Sequence, residues 1–355
     1  MTRIEKLREK LGQGFSAAVI EHGPNRWYLA EFHSSAGTLI VTEDDALFIV
    51  DFRYIEVAGK KVAGARVQLQ ENDIFRQIGK YLESKSIKQV LVEDEMSLGR
   101  FGRYKTLLSD VGFTSDGSLT KAVLALRSVK ESKEIEAIKS AQDITDSAFS
   151  YILGYIKPGL TERDVAAELD HFMRKNGADG CAFDTIVVSG ANGSMPHGVP
   201  GDRKIESGDF VTMDYGAKKQ GYCSDMTRTV AVGKVTDEMK KVYDTVLSAH
   251  MAAREKAAAG ISGRELDKTA RDIIYSAGYE GRFGHGLGHS LGLEIHEDPR
   301  ASFLYDHMLE PRVIMTIEPG IYLPGRFGVR IENMVVLNED SNENLTRSPV
   351  EMISL

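Results

Sequence analysis

Two pairs of acids stand out for where they fall relative to turns. In FVTMDYGAKKQGYCSDMTRTV (210–230), both arms alternate as strands do. Lys218-Lys219-Gln220-Gly221 offers a turn in which Gly accepts positive φ. A loop centred on Lys219-Gln220 sets Asp214 directly across from Asp225, with Cβ atoms about 5 Å apart. A bulge at Gly221 makes them diagonal neighbours on the same face instead. That face also carries Thr212, Gly216, Cys223 and Thr227, poor material for a core. Opposed carboxylates repel, so something positive is expected between them. Taken alone, the stretch reads more simply as a solvated hairpin with two surface acids. A second arrangement changes that balance. In VIMTIEPGIYLPGRFGVRIENMVVL (313–337), a turn centred on Gly325 sets Glu318 across from Glu332, although Pro319 interrupts the ladder. Between the hairpins, FGHGLGHSLGLEIHE (283–297) crowds His285, His289 and His296 among glycines, and His197 sits in the loop GSMPHGVP (193–200). No HExxH motif is present, and the glycines do not have GxGxxG spacing. Four carboxylates match the charge of two divalent cations, and a neutral His289 completes five protein ligands. Two such ions, about 3.5–4 Å apart, turn a bridging water into a hydroxide nucleophile. Oxygen-rich ligation favours Mn2+, with Co2+ and Zn2+ as alternatives.

The elements that must position these residues repeat. GLTERDVAAELDHFMRKNG (159–177) and GISGRELDKTARDIIYSAG (260–278) align without gaps. Both start with Gly, an aliphatic residue and a Thr or Ser N-cap, and both close on Gly at the C-cap. Each precedes one of the acid-bearing hairpins, which suggests two pseudo-symmetric halves sharing a four-carboxylate site. From Arg127 onward, the period of Ile135, Ile138, Ala141, Ile144 and Phe149 predicts a long amphipathic helix opening this catalytic region. The boundary is expected near Lys121-Ala122, giving domains 1–122 and 123–355. In the first, 17–20, 38–41, 46–50 and 89–92 read as strands, and 74–82, 98–108 and the N-terminus as helices, an α/β domain. That region shows no phosphate loop and no metal-ligand cluster, and its lone His33 reads as a surface or packing residue.

A chain of 355 residues favours two domains. A net charge of -8 argues against a nucleic-acid binder. The charged amphipathic N-terminus lacks the apolar core of a signal peptide, and no apolar run has membrane-spanning length. Cys181 and Cys223 are too few for a disulfide framework. These features lead us to expect a cytoplasmic protein with no membrane or nucleic-acid partner.

With DYG…SDMTRT, HGLGH, TIEPGIY and VRIEN in order, the chain resembles the pita-bread metallopeptidases, which include methionine aminopeptidase, aminopeptidase P, prolidase and the metal-free creatinase. Its length and N-terminal domain are similar to those of the Xaa-Pro peptidase branch. The resemblance implies an α/β N-terminal domain and an α+β pita-bread catalytic domain with an internal pseudo-two-fold repeat. It implies hydrolysis of the bond between an N-terminal residue and proline, on an aminopeptidase or a dipeptidase pattern. By that analogy Asp214 binds one metal, His289 and Glu318 the other, and Asp225 and Glu332 bridge. His197, His285 and His296 position the carbonyl and shuttle protons, and Glu318 serves as general base. Arg330 holds a ligand carboxylate and contributes to substrate binding. Arg300, in HEDPR, either grips the free carboxylate of the proline or pins its own loop. The substrates implied are peptides with proline second, and the assembly a homodimer. Methionine aminopeptidase-like activity and a non-catalytic binding protein on the same fold are the alternatives.

Overall fold

The computed structural model describes residues 1–12 and 14–355. The chain divides into two compact units, Met1–Arg127 and Ser128–Leu355. No described helix is long and apolar enough to cross a membrane.

The first unit is built on one mixed sheet. Its strand order is Arg66–Leu69, Ala46–Val50, Thr38–Thr42, Ala17–Ile20, Gln89–Val92 and Gly112–Thr114. The strands read from the sequence all form, because their runs of β-branched and aliphatic residues supply buried faces. Val19, Ile40, Ile49 and Val90 pack with Phe75, Ile78 and Leu82 of the helix Ile74–Ser84. Two edge strands escaped that reading. Arg66–Leu69 alternates polar and apolar residues over only four positions and is largely exposed, too short and too poorly buried to stand out.

The second unit starts on a helix, but not at Arg127. Arg127 and Ser128 end the preceding helix, Ser118–Ser128. The long helix runs Ser132–Ile152 and begins with a capping box in which Glu131 and Glu134 satisfy each other's free amides. The break leaves Lys130 buried. Its Nζ donates to Ser290 Oγ at 2.9 Å and lies 3.3 Å from Glu297 Oε2, tying the helix start to the histidine-rich segment.

The repeated helices are Glu162–Lys175 and Gly263–Ser276. Thr161 with Asp164, and Ser262 with Glu265, form matching capping boxes. Gly177 and Gly278 leave the helices at φ of 95° and 91°, where a Cβ would be strained. Each half then adds a three-stranded sheet. The first contains Ile186–Ser189, Phe210–Tyr215 and Met226–Ala231; the second contains Ile314–Ile317, Asn333–Leu337 and Asn342–Asn344. Phe149, Val165 and Leu169 pack under Val211 and Met213 in the first half. Val246, Leu266 and Ala270 pack under Met315 and Val335 in the second.

The registers decide where the acids point. In the first hairpin Thr227 pairs with Asp214, and Lys218 with Cys223. The turn therefore sits on Gln220-Gly221, both left-handed with φ of 50° and 82°, rather than on Lys219-Gln220. Asp225 becomes a diagonal neighbour of Asp214 on the same face, without a bulge at Gly221. Between them the strands approach so closely that a Cβ on Gly216 would lie 1.8 Å from Ser224 O. In the second hairpin Ile317 pairs with Asn333, and Gly320 with Arg330. Both ladders share one register, and it sets Glu318 across from Glu332. The pairing lapses between the ladders, where Pro319 has no N–H to give.

Candidate metal centre

The two hairpins meet edge to edge at the acids. Glu332 N donates to Thr227 O at 3.1 Å, and Thr227 Oγ1 donates to Glu332 Oε2 at 2.7 Å. One step further out, Thr229 Oγ1 donates to Arg330 O at 3.0 Å. Arg228, fully buried, staples this seam from behind by donating to Glu332 O, Thr227 O and Asn333 Oδ1. Its burial pulls its pKa down to about 10.

His289 comes from the short strand Gly288–Ser290, whose amide donates to Thr316 Oγ1 at 3.0 Å. A Cβ on Gly288 would lie 1.9 Å from Thr316 O, so this approach requires glycine. Nδ1 of His289 lies 3.1 Å from Ser290 O, an acceptor only, so Nδ1 carries the proton. The bare Nε2 then faces Glu318 Oε1 at 3.4 Å and Asp225 Oδ2 at 3.6 Å. Burial, then the neighbouring His296, push the His289 pKa down to about 3, which keeps that lone pair free. Donor atoms of Asp225, His289 and Glu332 all lie within 4.8 Å of one another. Asp214 stands at the other end of the group. Its Oδ2 accepts from Arg330 Nη2 at 2.6 Å, while its buried Oδ1 has no hydrogen-bond partner.

This cluster is electrostatically incomplete. Asp225 is buried and its pKa is driven well above the usual carboxylate range, by burial first and then by Glu332, Asp214 and Glu318. Burial and Glu332 drive Glu318 the same way, and burial and Asp214 push Glu332 up to about 8. Added cations would reverse these shifts. An orphaned carboxylate oxygen, a bare imidazole nitrogen and four convergent carboxylates are a donor set that fits divalent metal ions.

Arg330 reaches the Asp214 carboxylate from the cleft wall. Its Nε donates to Thr227 Oγ1, Nη1 to Tyr322 OH and Pro196 O, and Nη2 to Asp214. With four bonds inside the protein and only 4 % of the residue exposed, it orients Asp214. Tyr322, which the sequence reading passed over within TIEPGIY, joins Arg330 to His285. Its OH accepts from Arg330 Nη1 and faces His285 Nε2, both at 2.9 Å. The His285 Nδ1–H donates to Gly286 O at 2.8 Å, so Nε2 is the acceptor for the phenol. Burial raises the Tyr322 pKa to about 12 and lowers that of His285 to about 4, so the pair stays neutral.

A cleft of about 800 Å3 opens over the acids, lined by His197, His285, His289, His296, Arg300 and apolar residues including Phe183, Ile295 and Leu304. His296 packs edge-on against His289, with ring centroids 4.5 Å apart. Loss of solvent on that side, then the Arg300 charge, holds its pKa down. His197 is exposed in the segment between Ser189 and Gly201. Both ends of that segment are held by Glu162, a fully buried carboxylate that no pattern in its helix singles out. Arg300 extends 53 % exposed, with Asp298 Oδ1 at 3.5 Å from its Nε.

Fold and cleft together define a two-unit metallopeptidase of pita-bread architecture. The model of metallopeptidase family M24 matches residues 136–339, and that of the creatinase/prolidase N-terminal domain matches residues 3–129. The chain belongs to metallopeptidase family M24. It is similar to a solved structure described as an Xaa-Pro dipeptidase from Bacillus anthracis, with 41% identity, a TM-score of 0.95 and 99% of each chain covered. It is similar also to an X-Pro aminopeptidase structure from Thermotoga maritima, at 38% identity and a TM-score of 0.92 over 98% of this chain and 99% of that one. An Xaa-Pro dipeptidase of Pyrococcus horikoshii is 35% identical over 99% of this chain and 98% of its own length.

Proposed function

We propose that this protein is a metal-dependent Xaa-Pro dipeptidase whose Asp214, Asp225, His289, Glu318 and Glu332 hold two divalent ions, with Mn2+ as the native metal. The observation that carries the reading is the bare His289 Nε2 facing Asp225 and Glu318. Ions bound there would polarise a carbonyl and bring the pKa of a water near neutrality.

The chain's own residues do the rest. His289 and the four acids offer donor atoms already fixed by backbone contacts. Arg330 orients Asp214 through its 2.6 Å contact. Glu318 accepts the proton of the attacking water. His285, backed by Tyr322, and the exposed His197 and His296 face the carbonyl and the nitrogen of the departing proline. That tertiary amide nitrogen must be protonated before it leaves, and an imidazole suits the task near neutral pH. Phe183, Ile295 and Leu304 give the cleft an apolar wall against which the substrate can pack. Arg300 takes the free carboxylate of the proline, which favours dipeptides over longer peptides. Two cysteines in 355 residues are too few for a disulfide framework, which supports a cytoplasmic location. A homodimer completes the reading.

Hydrolysis of Ala-Pro, Ala-Pro-Ala-Ala and Met-Ala-Ser, measured side by side with Mn2+, tests it. Ala-Pro is expected to be cleaved fastest. Preference for Met-Ala-Ser would replace the reading with a methionine aminopeptidase, and no cleavage of any of them would leave a binding protein.

A further inference from the structure

His250 lies on the helix Asp237–Lys256, in the apolar layer of Val246, Ala249 and Ala253, and is completely buried. An aliphatic residue would be cheaper to bury there. Nδ1 of His250 lies 3.0 Å from Ile317 O, so Nδ1 carries the proton and donates it. Nε2 has no partner, an additional cost in a buried site. Burial holds the ring neutral, with its pKa pushed down to about 3. Ile317 immediately precedes Glu318.

The contact falls where the sheet gives least support. Regular pairing of the second hairpin ends at Ile317–Asn333 and resumes at Gly320–Arg330. Within the gap, the peptide joining Ile317 to Glu318 is gripped at both ends. Its N–H donates to Leu287 O at 2.8 Å, and its C=O accepts from His250. Fixing both groups fixes the plane of that peptide, and with it the direction in which the Glu318 side chain leaves the backbone.

We infer that His250 is a positioning residue for Glu318, holding the Ile317–Glu318 peptide in the orientation that aims the Glu318 carboxylate at His289 and the metal centre. The inference rests on the metal-centre reading above and goes beyond it, because His250 touches neither metal ligand nor substrate.

Asn and Leu at position 250 provide the test. Both branch at Cγ, but only Asn has an N–H at the place of Nδ1. The full chain, stripped with chelator, is titrated calorimetrically with Mn2+, and kcat and KM are measured for Ala-Pro. His250→Leu is expected to weaken one of the two Mn2+ sites by roughly 10-fold or more, the usual effect of losing an outer contact to a ligand. Its kcat falls while KM stays within about two-fold, the mark of a group acting after binding. His250→Asn restores both, although the apo-protein melting temperature drops in the two variants alike. Equal Mn2+ affinities in the Asn and Leu variants, or an unchanged Leu variant, overturn the inference while the metal reading stands. If His250→Leu does not fold, the Asn variant decides: a 10-fold loss of Mn2+ affinity in folded protein contradicts the positioning role. Failure of the unsubstituted protein to bind Mn2+ sinks the metal reading, and this inference with it.

Discussion

Replacing Glu162 with Gln changes one atom and exposes how the loop bearing His197 is held. Oε1 of Glu162 accepts from Ser189 N at 2.7 Å, from Ser189 Oγ at 2.9 Å and from Asn192 Nδ2 at 3.1 Å. Oε2 accepts from Gly201 N at 3.1 Å. One carboxylate therefore closes both ends of the 189–201 segment. A Gln amide has a single acceptor oxygen. In either flip its NH2 meets a backbone N–H, at Ser189 or at Gly201, and one buried amide loses its acceptor. That loss costs about 1–3 kcal/mol, and the surviving bonds lose their charge assistance, for a total of about 2–4 kcal/mol. In calorimetry the melting temperature of the catalytic unit should fall by about 5–10 °C. Without its anchor the loop no longer holds His197 in place, so kcat for Ala-Pro should fall while Mn2+ stoichiometry is kept. A variant that melts within about 1 °C of the parent and keeps its kcat would refute the reasoning, because the buried amides would then have found other partners.

His197→Ala should lower kcat by about 100-fold while Mn2+ still binds, as for a proton-transfer group outside the ligand set; loss of metal in that variant would make His197 a ligand. Arg300→Ala should raise KM for Ala-Pro by about 30-fold or more and leave Ala-Pro-Ala-Ala nearly untouched. Equal losses on both substrates would leave Arg300 a loop-pinning role. In the N-terminal unit, the hydrogen bond from Arg66 holds the Asp45 pKa at about 2, against an ordinary 3.8. A depressed carboxylate pKa adds stability above the ordinary value and loses it as pH falls towards about 2. Arg66 is largely exposed, so Arg66→Ala should cost only about 0.5 kcal/mol at pH 6, and urea midpoints of parent and variant should converge near pH 2. A gap that stays constant down to that pH would rule out this ion pair as its source.

The acids and His289 were legible because their chemistry is unusual for their setting: paired carboxylates on strands, and histidines among glycines. The second hairpin register was readable from Gly325, which takes φ of 71° at the centre of its loop. The first was misjudged by two positions in pairing, because Gln220 itself adopts a left-handed conformation and lets Gln220-Gly221 form the turn. That both acids lie on one face survived the error, since a shift of two keeps every side chain on its face. The supporting residues were not legible. Glu162 reads as an ordinary acid in the first turn of a helix, and His250 as one polar residue in an amphipathic one. Arg228 and Lys130 read as surface charges in the sequence. The partners that give each its meaning lie 27 to 167 residues away, which spacing within one element cannot reveal. The further partners of Arg330 were hidden for the same reason. Its contact with Tyr322 and its seam with Thr227 exist only once both hairpins have met.

Metal content and Ala-Pro hydrolysis, followed together in the parent and in Asp225→Ala, test the central claim most directly. Asp225 is buried, and its donor atom groups with those of His289 and Glu332. The parent should bind two Mn2+ per chain, lose all hydrolysis on exhaustive chelation and regain it when Mn2+ returns. Asp225→Ala should stay folded, retain less metal and hydrolyse Ala-Pro at no more than about a thousandth of the parental rate. Undiminished hydrolysis after chelation, or an Asp225→Ala protein with full metal and activity, would contradict the account.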